Sequence, residues 1–354
     1  MARMTTFDRN GSDGRIRESY GAHGGGASGG RSGGPGGGAS VRDAQRVLAR
    51  HGGAAPSTGG GSLETQSTAN TPPRLEGAPL IEGTRIELRD VPGEPVAACG
   101  GFLDGIQRSV VAWYPRAMLP AVHATVAAAI RTRDDRTLHT WGEGPLIERA
   151  LYLPVALAGR ELVGALEAAG VAVRDTLPPD DPGGDRHPQE LIGLARQGVQ
   201  ERRAQLEEQL ATAWCAREHL PLYVDGGIGG FADASRSSLA IGVVKSHRTL
   251  YVAAEAIATL AALEPGQRSS AFHVATRRRA RVASWYLRLR ADGDPLGGLV
   301  RVEVAEAGFD SARADLVSRW VLAEREPVAL PDTRWRVMAY GIRDCEEYLR
   351  AVAG

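Results

Sequence analysis

Apolar positions are not spread evenly along the chain, and their spacing separates a tail from a patterned body. The first 75 or so residues show no sustained periodicity. The runs GAHGGGASGGRSGGPGGGAS (21–40) and GGAAPSTGGGS (52–62) cannot bury enough apolar surface to offset the entropy of ordering a backbone. Residues 1–75 are therefore expected to be a disordered Gly/Ser-rich tail. Between the two runs, VRDAQRVLARH (41–51) predicts a single short helix, too short to be stable on its own and so transient within the tail.

Patterned sequence begins near Pro79 and continues to the end, which sets the folded domain at 80–354. LIEGTRIELRD and VAACGGFLDGIQRSVVAWYP predict strands. LPAVHATVAAAIRTR, rich in alanine, predicts a helix. WGEGPLIERALYLPVALAG and ELVGALEAAGVAVRDT combine strand and helix, and LPPDDPGGDRHPQ is a polar loop. A long helix is predicted from Glu190 to about Glu218. LPLYVDGG then reads as a buried strand ending on Asp225, and SSLAIGVVKSH as a second strand ending on Lys245. YVAAEAIATLAALE predicts a helix. SAFHVAT, RVASWYLRLR and LVRVEVA predict an antiparallel group. Two helices, SARADLVSRWVLAE and RDCEEYLRAVA, close the chain around a strand RWRVMAYG. Alternating strands and helices of this kind predict an α/β domain with a mixed sheet flanked by helices.

Charge and cysteine usage narrow the class. Forty-two basic residues balance 42 acidic ones, which argues against a generally basic nucleic-acid coat while leaving room for a local basic face. Cys99, Cys215 and Cys345 are unclustered and odd in number, so they build neither a disulfide framework nor a Cys-rich zinc site. No run reaches the roughly 18 apolar residues that a membrane span needs. The start of the chain lacks the apolar core of a signal peptide. A cytoplasmic protein is expected. One detail stands out: Lys245 is the single lysine, and every other basic residue is arginine. An ammonium is a compact point charge and a guanidinium a broad planar fork, so position 245 invites a chemical explanation.

Two segments share one design, an apolar strand carrying Asp-Gly: GGFLDGIQR around Asp104 and LPLYVDGGIGG around Asp225. Two such strands side by side bring two carboxylates close together, and their repulsion calls for a shared proton or a divalent metal. Asp-Gly also marks ordinary turns. At 100° per residue the apolar stripe of the long helix runs through Val199, Leu206, Leu210, Ala213 and Trp214. Glu207 lies on its edge, whereas Glu201 and Glu208 point to solvent. A glutamate bordering a buried face is paired or bound to metal, and Arg203 is the available pairing partner. Lys245, ending the strand beside Asp225, reaches the same cluster, and His247 follows two residues later. Arg277, Arg278, Arg279 and Arg281, with Trp285 and Tyr286 nearby, form a basic and aromatic run suited to phosphates and stacked bases, or else a solvated turn.

In their order and spacing these motifs resemble the NurA family of DNA-end-processing nucleases, over about Leu80 to the C-terminus. The matching features are FLDG, a Glu-bearing helix, LYVDG, GVVK and a late AYGIRD. The resemblance implies a ribonuclease-H-like core and manganese- or magnesium-dependent exo- and endonuclease activity on DNA. It also implies a role in DNA end processing and double-strand-break repair, and a homodimer docked on a hexameric HerA-type ATPase. By the family's pattern Asp104, Glu207 and Asp225 are metal ligands, Lys245 lies beside them, and Asp344 is a further ligand. Arg108, His247 and Arg277 to Arg279 become the candidate DNA contacts. Two other readings use the same residues: an inactive adaptor of an ATPase ring, and a small-molecule phosphohydrolase.

Overall fold

The computed structural model describes residues 39–51, 63, 72–116, 118–135, 137–178, 181, 183–275, 280–291, 293–325 and 340–353. The run Arg277 to Arg279 and most of the expected strand RWRVMAYG lie outside the described residues. Tyr340 and Gly341, which close that segment, belong to the last helix.

In chain order the elements begin with α1 (Val41–His51), β1 (Arg74–Leu75) and β2 (Leu88–Asp90). They continue with the two longest strands, β3 (Gly101–Arg116) and β4 (Leu119–Asp134), then β5 (Thr137–Thr140) and β6 (Leu146–Leu153). Next come α2 (Val155–Ala158), α3 (Arg160–Ala168), β7 (Val173–Asp175) and the long helix α4 (Pro188–Arg217). The second half holds β8 (Leu222–Asp225), β9 (Ala240–Val244), β10 (Thr249–Leu250) and the short α5 (Ile257–Ala261). It ends with β11 (Gln267–Ser269), β12 (Phe272–Val274), β13 (Val282–Arg288), β14 (Leu299–Ala305), α6 (Ser311–Ala323) and α7 (Tyr340–Ala353).

Among the described residues, twelve strands form one mixed sheet in the order β2-β11-β13-β14-β9-β8-β3-β4-β6-β7, with β5 on β4 and β12 on β13. At its centre β3, β4 and β6 make an antiparallel meander, α4 crosses over, β8 lies parallel to β3, and β9 lies parallel to β8. The spatial order β6-β4-β3-β8-β9 is the strand order of the ribonuclease-H-like core that the motifs imply. β14 then extends the sheet antiparallel to β9, and β12, β13 and β14 form the expected antiparallel group.

Helices cover both faces, so the central strands are apolar on both sides. Leu103, Leu222, Val224 and Ala240 point to one face and pack with Leu206, Leu210 and Trp214 of α4. Phe102, Tyr223, Ile241 and Val243 point to the other, against Val317 and Val321 of α6 and Ile342 of α7. The start of α4 is set locally: Pro188 occupies the first turn, and the His187 ring accepts the Gln189 N–H, relieving one of the unpaired donors of that turn.

Three expectations are revised. LPAVHATVAAAIRTR is strand β4, not a helix. Ala124 and Ala128 face α4 while Ala127 and Ala129 face α7. Burial on both faces removes the polar alternation that would have marked a strand, and small side chains let helices approach from either side. YVAAEAIATLAALE is helical only over a 3-10 turn and the short α5. Finally, the helix placed in the tail is formed and packed, since Ala44 and Leu48 of α1 are fully buried with Ala112, Leu151 and Leu162. No helix among the described residues is long and apolar enough to cross a membrane.

Candidate functional site

The register of the central strands dictates where the acidic residues meet. β3 and β8 pair through Leu103 and Val224, so Asp104 and Asp225 are the next residues side by side. By the alternation of the pleat both project to the face that carries Phe102 and Tyr223. β8 stops at Asp225, because Gly226 takes φ +134°, a left-handed conformation open to glycine and rarely to other residues. β9 stops one residue before Lys245, whose Nζ donates to Asp225 Oδ2 at 2.7 Å.

The first Asp-Gly works differently. β3 does not turn at Gly105 but runs on to Arg116. What the glycine provides is space: a Cβ there would lie 2.2 Å from Glu207 Oε1 and 3.1 Å from Arg203 Cγ. Glu207 therefore sits against the bare backbone of β3, coming from the α4 face, while Asp104 leaves the same strand on the opposite face. Gly105 N–H, beyond the last β8 pairing, donates to the Asp104 carboxylate at 2.7 Å. Arg203 Nη1 donates both to Gly105 O and to Glu207 Oε1, each at 3.0 Å.

These groups feel one another's charge. Burial pushes the Asp104 carboxyl well above the usual carboxylate range, the Asp225 and Glu207 charges push it further, and the Lys245 ammonium opposes them. Burial raises Glu207 to about 7, with Arg203 opposing and Asp225 reinforcing. A cavity of about 420 Å³ opens beside the cluster, lined by Arg203, Glu207, Glu208, Asp225, Gly226 and Phe231 among others. The donors are all carboxylate oxygens, and burial makes those of Asp104 and Glu207 hold their protons more tightly. That chemistry fits a hard divalent cation. As they stand, no group of three or more His, Cys, Asp or Glu side chains among the described residues is drawn together to hold one, in keeping with the approach of Asp104 and Glu207 from opposite faces.

Other residues singled out from the sequence fall elsewhere. The Asp344 carboxylate is engaged by Arg131, whose guanidinium also bonds Thr140 Oγ1 and Leu138 O and stacks on Tyr348. His247 Nε2 donates to Leu299 O at 2.9 Å, its ring leans on Tyr286, and burial lowers its pKa. This is a histidine satisfied within the fold. Trp285 and Tyr286 are fully buried and cannot stack on bases: the indole N–H donates to Ser318 Oγ, and the Tyr286 hydroxyl accepts the Tyr251 N–H. Arg281 pairs with Glu306. Arg108 is exposed on β3.

Glu303 was not anticipated. It is 1% exposed, pairs with Arg301 at 2.7 Å, and accepts the N–H groups of Ile228 and Gly229 at 2.9 and 3.3 Å. It thereby anchors the glycine-rich loop that leads away from Asp225. In LVRVEVA the alternation makes Arg301 and Glu303 look like a solvated face. The 226–230 loop returns over Glu303, and the Tyr251 ring lies against the Arg301 guanidinium.

No family model matches the chain, and no curated protein matches it. Among solved structures it is similar to the crystal structure of the NurA nuclease from Sulfolobus solfataricus, at 11% identity and a TM-score of 0.41, over 77% of this chain and 81% of that one.

Proposed function

We propose that the chain is a divalent-metal-dependent DNA nuclease that hydrolyses phosphodiester bonds. The observation that carries the reading is the charge cluster where β8 and β9 end. Asp225 is ion-paired to the only lysine at 2.7 Å, beside the buried and mutually repelling Asp104 and Glu207. The order of the FLDG, LYVDG and GVVK motifs supports the same reading.

Asp104, Asp225 and Glu207 would hold magnesium or manganese, which supplies Lewis-acid stabilisation of the phosphate and a water of lowered pKa. The chain's own groups have distinct tasks. Lys245 holds the Asp225 carboxylate and offers an ammonium to a non-bridging phosphate oxygen, a point-charge role. Glu207, whose carboxyl burial raises to about 7 without metal, would exchange its proton for the cation. Arg203 is fixed by the Gly105 carbonyl at the rim of the cavity. Asp344, engaged by Arg131, is left out of the ligand set. The motif resemblance alone extends the reading to DNA end processing by a homodimer beside a HerA-type ATPase.

Asp225→Asn tests the proposal. The variant should fold, bind manganese more weakly by calorimetry, and lose manganese-dependent cleavage of single-stranded DNA. Equal cleavage by wild type and variant would sink the reading.

A further inference from the structure

On the sheet face that carries Asp104, the described helices leave one row of the central strands uncovered. α7 lies over the Asp104 end, where Cys345, Leu349 and Ala353 pack on Ala127 and Ala129 with Ile106 and Ile147 against them. α1 lies over the other end of the same strands: Ala44 and Leu48 pack with Ala112, Ala121 and Leu151, and Gln45 donates to Ala112 O. Between the two helices the register sets Arg108 of β3 opposite Thr125 of β4, and Thr125 opposite Arg149 of β6. Burial follows the gap. Thr125 is the one residue from Leu119 to Ile130 that is not buried. Arg108 is the one exposed residue from Gly101 to Pro115, and Arg149 is half-buried.

We propose that Arg108, Thr125 and Arg149 form a binding site for the phosphate backbone of a nucleic acid strand. The inference deepens the nuclease reading and rests on it for the identity of the ligand. Three neighbouring strands at about 4.8 Å spacing put the two guanidinium-bearing positions about 10 Å apart, with a hydroxyl between them. Guanidinium forks match phosphate oxygens bidentately, and a threonine hydroxyl adds a single bond. Arg108 has no hydrogen bond or ion pair among the described residues. Arg149 already has a partner within the fold, and the acids on the flanking helices are engaged by their own arginines: Asp43 by Arg46, Glu347 by Arg343, Glu346 by Arg350. β3 joins the row to the acidic cluster. Beyond Leu103 its edge pairs with no strand on the β8 side among the described residues, and four residues take it from Asp104 to Arg108, about 13 Å. The row shares strand β3 with the acidic cluster of the proposed nuclease, which makes nucleic acid its expected occupant.

The experiment is a fluorescence-anisotropy titration of a labelled single-stranded oligonucleotide at stepped sodium chloride, without added metal. Arg108→Ala and Arg149→Ala are each expected to weaken binding several-fold and to lower the salt slope by about one, and the pair by about two. Arg85→Ala serves as control. It removes an exposed arginine beside β2, at the other end of the sheet, and should leave the slope alone. Circular dichroism checks each fold. If Arg149→Ala unfolds, Arg108→Ala carries the test alone. Unchanged affinity and slope in Arg108→Ala overturn the site. So does a loss of polyglutamate binding with DNA binding intact, which would make the row a protein dock. Because binding is read without metal, a chain that cleaves nothing defeats the nuclease reading and leaves this result standing.

Discussion

Glu207 reaches the sheet through the space left by Gly105, where a Cβ would lie 2.2 Å from its Oε1. The contact is tight on both sides, since Arg203 Nη1 bonds the Gly105 carbonyl and the same glutamate. Gly105→Ala is therefore a lever on the site. Within a strand, alanine normally stabilises relative to glycine by roughly 0.5–1 kcal/mol. Here the added methyl must displace a carboxylate. The expected outcome is a folded protein with cleavage reduced at least about tenfold, or roughly 1.4 kcal/mol of transition-state stabilisation. Kinetics on single-stranded DNA beside a thermal melt checks it, and wild-type cleavage would mean that Glu207 is a bystander.

Lys245 is the sharpest single position. Its ammonium touches Asp225 at 2.7 Å in a setting where both side chains are about one-fifth exposed, and its charge restrains the protonation of Asp104. Arginine serves at every other basic position of this chain. If charge alone mattered, Lys245→Arg would be silent. A planar fork is too broad for a point contact with one carboxylate oxygen and a phosphate, so cleavage is expected to fall at least about tenfold. Undiminished cleavage would show that charge alone matters at position 245.

The contrast between β4 and β8 explains what was legible. LYVD announced itself because a short apolar run stopped at Asp-Gly. Glu207 could be placed because a helix has a fixed angular step and only one edge of its stripe carried an acid. β4 hid because both of its faces are covered, so its alanines read as a helix. Glu303 was missed, and Trp285 and Tyr286 misread, for a related reason. Each is buried by segments distant in sequence, and a local pattern carries no record of what returns to cover it. The reason for Gly105 was equally invisible, since close approach by a helix leaves no mark on the strand it approaches.

That account of β4 predicts a stability effect. Ala129 is 0% exposed, beneath α7, and the Cys345 thiol sits 3.2 Å from its carbonyl. Ala129→Leu adds three carbons where there is no room. Overpacking of this kind costs typically about 1–3 kcal/mol. Urea unfolding should show a lower midpoint with an unchanged slope. Had the segment been a surface-packed helix, leucine would have been neutral or stabilising.

The elevated pKa of Glu207 makes the metal-free protein sensitive to pH in a defined direction. Its carboxyl titrates near 7 in the fold against an ordinary value of 4.5. Between those values the folded state binds more protons than the unfolded chain, so stability falls as pH rises. The stabilisation is complete below about pH 4.5 and is lost as pH passes 7. A shift of that size corresponds to on the order of 3 kcal/mol. Asp104, raised for the same reasons, adds in the same sense. Glu207→Gln removes one of the two titrations, so its melting temperature should change less than that of wild type between pH 5 and pH 8 in chelator. The glutamine variant should also be the more stable of the two at pH 8. A metal that replaces the proton reverses the trend, so manganese should raise the wild-type melting temperature more at pH 8 than at pH 5. Parallel pH profiles for wild type and Glu207→Gln would show that Glu207 is already ionised and held by Arg203 alone.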